Sequence, residues 1–184
     1  RRQRQMCIRD SYDRRGAASH EYMAAFRALW TERVAQYRGE FVDFTGVVCE
    51  PKPVQHGGPP MWVGGEGRAA RERAARHGDG WYPVGRNPRE PLDSIERFSV
   101  ALRDVETRAE RAGRDPSELA VAMYAPWCRL GKEIVEDGRR LPFTGSRDAI
   151  VDDIGQYEDA GLQTLVLNLE GRQVDETREL CDRF

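Results

Sequence analysis

Three glycines follow a short apolar run and precede a helical segment rich in arginine and alanine. The apolar run is residues 61–63 (Met-Trp-Val), and Gly64, Gly65 and Gly67 lie between it and Arg68. The first backbone N–H groups of a helix have no acceptor within the helix and lie at the positive end of its dipole, which favours a bound anion. The sequence therefore predicts a phosphate-binding site formed by the amides of the three glycines, with Arg68 near enough to reach the anion.

Two other interpretations of the same glycines stay open at this point. Glycine adopts a positive φ angle at no steric cost, so the three residues could serve only a tight turn from strand to helix. The stretch Gly65–Ala70 also matches the G-x-G-x-x-A pattern of dinucleotide-binding folds. That pattern needs an acidic residue after the next strand, but residues 81–84 are followed by Gly-Arg-Asn at positions 85–87, which disfavours a dinucleotide.

The other residues that could carry chemistry do not cluster. The chain has four cysteines, none in CxxC spacing: Cys7, Cys49, Cys128 and Cys181. His20 and His56 have no partners at metal-ligand spacing, so we expect no metal site, and free thiols rather than disulfides. Arg71, Arg73 and Arg76 follow Arg68 in the helical segment, and we interpret them as a solvated helix face.

Helices and short apolar strands alternate along the chain, and their order determines where the glycine loop lies. The predicted helices are one capped by Ser19 that ends before Gly39, followed by residues 67–77, 91–112, 146–160 and 174–181. The predicted strands are residues 61–63, 81–84, 119–125 and 164–169, with Phe41, Phe44, Val47 and Val48 as further candidates. Residues 127–143 are predicted to form a long loop with mixed charges.

Strands separated by whole helices cannot form hairpins, so they should pair in parallel with right-handed crossovers, and the predicted fold class is α/β. Ligands of such folds bind at the carboxyl ends of the strands. The candidate functional rim is therefore residues 64–67, 84–89, 126–145 and 169–172.

The composition limits the classes of partner. Charged residues make up 33% of the 184 residues, yet the net charge is −2, so neither nucleic acid nor a membrane surface is an expected partner. No apolar run approaches the roughly 20 residues of a membrane span, and we expect a cytoplasmic protein. Residues 1–15 are expected to be a non-native or disordered tail, because their polar and basic start shows no apolar periodicity.

Several separated blocks of sequence resemble one family. Pro51–Gln55, Pro59–Gly65 and Arg73–Pro83 occur in the order typical of the luciferase-like monooxygenase superfamily. Phe143–Ser146 and Ala160–Leu167 are similar to the last helix and strand of that family. Within the superfamily, the chain looks most like the oxidoreductases that use the deazaflavin coenzyme F-420.

The resemblance implies a TIM-like (β/α)8 barrel of which residues 16–184 supply about the second half, since a complete barrel needs about 250 residues. It implies a flavin or deazaflavin-dependent oxidoreductase or monooxygenase that acts on a small organic substrate by hydride transfer or oxygenation. Coenzyme F-420 is favoured over FMN as the cofactor, and a homodimer is allowed. The family carries its ring-facing residues on its first strands, which have no counterpart here, so the catalytic residues stay unknown.

Two features depart from the family pattern. The family has a small hydroxyl residue beside the glycine pair, whereas this chain has Glu66, which would repel a phosphate unless it points outward or pairs with Arg68. A half barrel would also leave two unpaired strand edges and an uncovered interior. The alternative function is therefore a catalytically silent fragment or a structural subunit that needs a partner half.

Overall fold

The computed structural model describes residues 14–168 and, beyond them, Asp175, Arg178, Glu179 and Asp182. The chain divides into two compact units, one up to Met61 and one from Trp62. Residues 1–13 of the predicted tail lie outside the described residues, as do the rim segment 169–172 and most of the predicted helix 174–181.

The first unit contains one helix and a two-stranded sheet. Their bounds are α1 (Arg15–Thr31), β1 (Ala35–Arg38) and β2 (Asp43–Val47). The predicted cap at Ser19 is wrong, because Ser19 lies inside α1 and its hydroxyl donates to the carbonyl of Arg15 at 2.7 Å. The predicted extension of this helix toward Gly39 is also wrong, since residues 35–38 are a strand.

Long-range pairing explains the early end of α1. The strands β1 and β2 pair antiparallel, with Tyr37 opposite Phe44 and their ring centroids 6.4 Å apart. The carboxylate of Glu21 accepts hydrogen bonds from the backbone N–H groups of residues 40–42, which form the turn between the two strands. A side chain of α1 thus holds the hairpin turn and satisfies three of its donors.

The second unit is built on a parallel sheet, and the predicted α/β class is confirmed. Its strands are β3 (Trp62–Gly64), β4 (Gly80–Tyr82), β5 (Ala120–Ala125) and β10 (Thr164–Leu167), hydrogen-bonded in the order β10-β5-β4-β3 with every pair parallel. The connecting helices are α2 (Arg68–His77), α3 (Ile95–Arg111) and α4 (Arg147–Asp159), with a 3-10 turn at Pro116–Glu118. Three consecutive βα crossovers therefore make up this part of the fold.

The predicted long loop after β5 contains short strands, which corrects that prediction. These strands are β6 (Arg129–Leu130), β7 (Val135–Glu136), β8 (Arg139–Arg140) and β9 (Thr144–Gly145). Strands β7 and β8 form an antiparallel hairpin around Asp137 and Gly138, whose φ angles of 50° and 74° are typical of a type I′ turn. The Asp-Gly pair was the sequence signal for this hairpin.

The core of the second unit is aromatic and lies under α3 and α4. The buried Trp81 of β4 stacks on Phe98 of α3, with ring centroids 6.3 Å apart. Tyr157 of α4 contacts Phe98 at 5.2 Å and Phe143 at 4.9 Å between centroids. Burial of these large rings supplies much of the apolar stabilisation of the unit.

The opposite face of the sheet is partly open. Strand register and alternation place Trp62, Tyr82, Tyr124 and Val166 on this face. Trp62 is 44% exposed and Val166 is 40% exposed, and the rings of Trp62 and Tyr82 meet edge to face at 5.9 Å. One face of the sheet is therefore covered by helices, and the other presents aromatic side chains.

Candidate cofactor-binding site

The glycine loop lies at the carboxyl end of β3, where it turns into α2. Gly64 is the last residue of β3, and Gly67 is the N-cap residue of α2 with an extended conformation. No side chain caps this helix end. The loop is thus the expected place for a ligand in a parallel α/β fold.

Four successive backbone N–H groups of this loop are free among the described residues. The amides of residues 66–69 donate no hydrogen bond there, whereas those of Ala70 and Arg71 already donate to the carbonyl of Gly67. Unpaired amides at the positive end of a helix dipole favour an anion. The loop therefore offers a ready set of donors.

The requirement for a turn explains only one of the three glycines. Gly65 has a φ angle of 109°, and a Cβ there would lie 3.0 Å from the Cβ of Ala70. At Gly64 and Gly67, neither of which has a positive φ angle, the nearest atoms to an added Cβ are 3.5 Å away, which is ordinary contact. The need for a tight turn therefore does not explain why glycine occurs at positions 64 and 67. The absence of side chains there would let a ligand approach the backbone closely, which does explain it.

Arg68 is the cation available to this loop. It is exposed at the first position of α2 and has no hydrogen bond or ion pair with any described residue. Arg71 differs, because its side chain is only 17% exposed and its guanidinium pairs with Glu90 at 2.7 Å and with Asp104 at 3.1 Å. The interpretation of Arg71 as part of a solvated helix face is therefore wrong.

Glu66 does neither of the things that the sequence predicted. It is buried, with 6% exposure, and its Oε1 atom accepts hydrogen bonds from the backbone N–H groups of Val84 at 2.7 Å and Gly85 at 3.0 Å. Its Oε2 atom accepts from the side-chain amide of Asn87 at 3.2 Å. The carboxylate is thus directed into the loop after β4 rather than outward or toward Arg68. Its two oxygen atoms together accept hydrogen bonds from three donors.

Trp81 fixes the other side of the glycine loop. Its indole N–H donates to the carbonyl oxygen of Gly65 at 2.9 Å, and the ring is fully buried. The loop is thereby attached both to the core of the sheet and, through Glu66, to the loop that follows β4. Sequence reasoning missed both contacts, and a glutamate between two glycines was the one visible signal.

The predicted rim segments after β4 and β5 contact each other. Both terminal nitrogens of Arg86 lie 3.1 Å from Oε1 of Glu136 in the β7–β8 hairpin. The guanidinium also lies over the ring of Trp127, 5.9 Å from its centroid. Arg86 therefore connects the loop after β4 to the β7–β8 hairpin.

A second concave region lies away from the glycine loop. This groove of about 720 Å³ is lined by the first turn of α3, the β7–β8 hairpin and α4. The hydroxyl of Tyr157 is buried there without a hydrogen-bond partner among the described residues. Burial, reinforced by the charges of Asp153 and Asp93, raises the pKa of Tyr157, so this phenol stays protonated.

Across positions 14–168 and the four described residues beyond them, no group of three His, Cys, Asp or Glu side chains is arranged to hold a metal ion. None of the helices in the same part of the chain has the length and apolar character needed to cross a membrane.

Comparison with known proteins identifies the family. The sequence model of the luciferase-like monooxygenase family matches residues 2–129. An FMNH2-dependent dimethylsulfone monooxygenase from Pseudomonas putida is 31% identical over 102 residues, which are 55% of this chain and 26% of that enzyme. An uncharacterized protein from Mycobacterium tuberculosis is 34% identical over 155 residues, covering 78% of this chain and 49% of the other.

The fold has a counterpart among solved structures. A coenzyme F420-dependent tetrahydromethanopterin reductase from Methanopyrus kandleri superposes with a TM-score of 0.71 at 17% identity, covering 90% of this chain and 61% of that one. The parallel sheet with its crossovers is consistent with about half of a TIM barrel. The chain spans at most about half the length of the two relatives named above. With the family model matched over more than half of its residues, the chain belongs to the luciferase-like monooxygenase family.

Proposed function

We propose that this chain supplies the phosphate-binding part of a flavin or deazaflavin-dependent oxidoreductase that acts on a small organic substrate. The observation that carries the proposal is the run of backbone N–H groups at residues 66–69 that are free among the described residues, at the start of α2 and just after β3. Amides that are already fixed in place bind an anion without the entropy cost of ordering a loop.

The charges around the loop are compatible with a phosphate. Glu66 is turned away into the loop after β4, where three donors hold its carboxylate. Glu90 approaches Gly67, but its carboxylate is paired with Arg71 at 2.7 Å. Arg68 is exposed and unpaired among the described residues, so the positive charge of its guanidinium is available to an anion at the loop.

The open sheet face suits the rest of the cofactor. Trp62 and Tyr82 lie on this face next to Gly64, which ends β3 opposite Tyr82. Apolar and aromatic side chains beside a phosphate site would exclude water from an aromatic ring system and orient it. A bound deazaflavin would supply two-electron hydride transfer, and reduced FMN would supply oxygenation.

The relatives support both cofactors, and we favour the deazaflavin. One relative is named as an FMNH2-dependent enzyme, while the structural neighbour is named as a coenzyme F420-dependent reductase. The preference for F420 depends on the sequence blocks around the glycine loop. Which cofactor binds more tightly is directly measurable.

The test compares ligands that carry a phosphate with the matching ligands that lack it. FMN and riboflavin, together with coenzyme F420 and its chromophore without the phosphate side chain, are titrated into the complete gene product. We expect Arg68→Ala to weaken FMN or F420 binding about tenfold, the effect of one charge-assisted contact, and to leave the ligands without phosphate unaffected. The matched control is Arg103→Ala, which removes an exposed arginine of α3 that has no ion pair among the described residues.

The outcomes separate the proposal from its alternative. Saturable binding that depends on both the phosphate and Arg68 supports the proposed site. Binding that is equal for FMN and riboflavin would place the phosphate elsewhere. No binding of any of these ligands would favour a catalytically silent or purely structural role.

A further inference from the structure

The loop after β4 is organised by a side chain from the preceding βα unit. Glu66 holds the backbone N–H groups of Val84 and Gly85 with one carboxylate oxygen and the side chain of Asn87 with the other. Asn87 in turn accepts from the backbone N–H of Arg89 at 3.0 Å. The start of this loop, residues 84–87, is therefore held in place by one buried carboxylate.

Glu66 also belongs to the glycine loop through its own backbone. Its N–H is one of the four donors at residues 66–69 that are free among the described residues. A phosphate bound there would fix the main chain of Glu66, and the side chain of the same residue would pass that constraint to Val84 and Gly85. Both loops follow adjacent parallel strands, β3 and β4, so they lie side by side at one edge of the sheet.

We propose that Glu66 is a positioning residue that couples occupancy of the glycine loop to the placement of the loop at residues 84–87. The inference rests on the proposed phosphate site and extends it, since it assigns a role to a side chain that touches neither phosphate nor substrate. Val84, 44% exposed and two residues after β4, is the side chain whose placement this coupling controls.

The carboxylate has the right chemistry for this role. One oxygen accepts two backbone N–H groups, and hydrogen bonds from neutral donors to a charged acceptor are stronger than neutral ones. Alanine would leave the buried amide of Gly85 and the part-buried amide of Val84 without an acceptor, whereas glutamine keeps an acceptor oxygen for both of them. Glutamine loses the charge and the acceptor for the side chain of Asn87, and alanine loses the two backbone contacts as well.

Hydrogen exchange at Val84 and Gly85 tests the coupling on the complete gene product. The probe is FMN or coenzyme F420, whichever the wild-type protein binds more tightly. We expect the probe to slow exchange at both amides in the wild type and not in Glu66→Ala, where exchange should be about tenfold faster even without a probe. Glu66→Gln should restore most of the protection, and Glu110→Ala, which removes an exposed carboxylate of α3, should change nothing.

Affinity gives a second readout. Glu66→Ala should weaken probe binding about tenfold, while Glu66→Gln should stay within about threefold of the wild type. If the wild type binds the probe but exchange at Val84 and Gly85 does not respond, the coupling is wrong and the phosphate site stands. If the wild type binds neither cofactor, the proposed function fails and the coupling fails with it. If Glu66→Ala does not fold, the response of exchange at Val84 and Gly85 to the probe in the wild type decides between these outcomes.

Discussion

The indole ring of Trp127 lies directly against Gly85, so closely that a Cβ atom on Gly85 would be 2.6 Å from the ring atom Cη2. Gly85 also has a φ angle of 84°, which disfavours any residue with a side chain. Trp127 is the second residue after β5. The loop after β4 therefore contacts the segment after β5 at a position where any side chain larger than that of glycine would overlap the indole ring.

Gly85→Ala should therefore be strongly destabilising. The positive φ angle costs about 1–2 kcal/mol and the overlap with Trp127 about 1–3 kcal/mol more. Gly113→Ala is the matched control, because Gly113 has a φ angle of 74° but no atom within 4 Å of an added Cβ, so it should cost about 1 kcal/mol. Urea unfolding of both variants measures the difference, and equal losses would mean that Trp127 moves aside freely.

Trp81→Phe should loosen the glycine loop. The variant removes the donor to the carbonyl of Gly65 and part of a fully buried ring, which together should cost about 2–3 kcal/mol. Trp62→Phe, a change at a tryptophan that is 44% exposed, should cost well under about 1 kcal/mol. Thermal unfolding gives the stabilities, and FMN or F420 titration should show weaker binding for the Trp81 variant. A larger loss of stability for Trp62→Phe than for Trp81→Phe would contradict the role assigned to Trp81.

Tyr157→Phe should leave stability unchanged or raise it by up to about 1 kcal/mol. The hydroxyl is buried without a partner among the described residues, and a buried polar group that makes no hydrogen bond opposes folding. Trp127→Phe is the contrasting variant. The indole N–H of Trp127 donates to the carbonyl of Pro142 at 2.8 Å, so its removal should lower the free energy of unfolding. A loss of more than about 1 kcal/mol for Tyr157→Phe would show that the hydroxyl is hydrogen-bonded in solution.

Cys128 should make the fold less stable in alkali. Burial raises the pKa of this thiol, against the opposing charge of Arg129, so the folded state keeps a proton that the unfolded chain releases. The resulting stability is complete below the unfolded pKa of about 8.5 and is lost as the pH rises through the folded value. The free energy of unfolding should therefore fall more steeply between about pH 7.5 and about pH 9.5 for the wild type than for Cys128→Ala. Parallel curves for the two proteins would refute this.

Local signals were sufficient for the parallel part of the fold. Gly67 and Gly78 bound α2 as predicted, and the predicted cap at Ser146 is confirmed, because its hydroxyl accepts from the N–H of Ala149 at 3.2 Å. These features depend on residues close together in sequence. Helix periodicity and the apolar runs between helices then fixed the crossover order of the sheet.

Contacts between distant residues were not predictable in the same way. The turn at residues 40–42 is held by Glu21, and the loop at residues 84–87 by Glu66, in each case about twenty positions away. Nothing in the local sequence indicates which partner such a carboxylate will find. The role of Glu66 was therefore misjudged, although its position between two glycines was evident.

The sheet order β10-β5-β4-β3 has a practical consequence for handling this polypeptide. Among the described residues, β3 and β10 each pair on one side only, so their outer sides present main-chain donors and acceptors that strand addition from another polypeptide would satisfy. We therefore expect a separately expressed piece of a relative that carries barrel strands to pair with these outer sides. If mixing the two pieces restores the absorbance of a bound cofactor, the pair can serve as a split reporter.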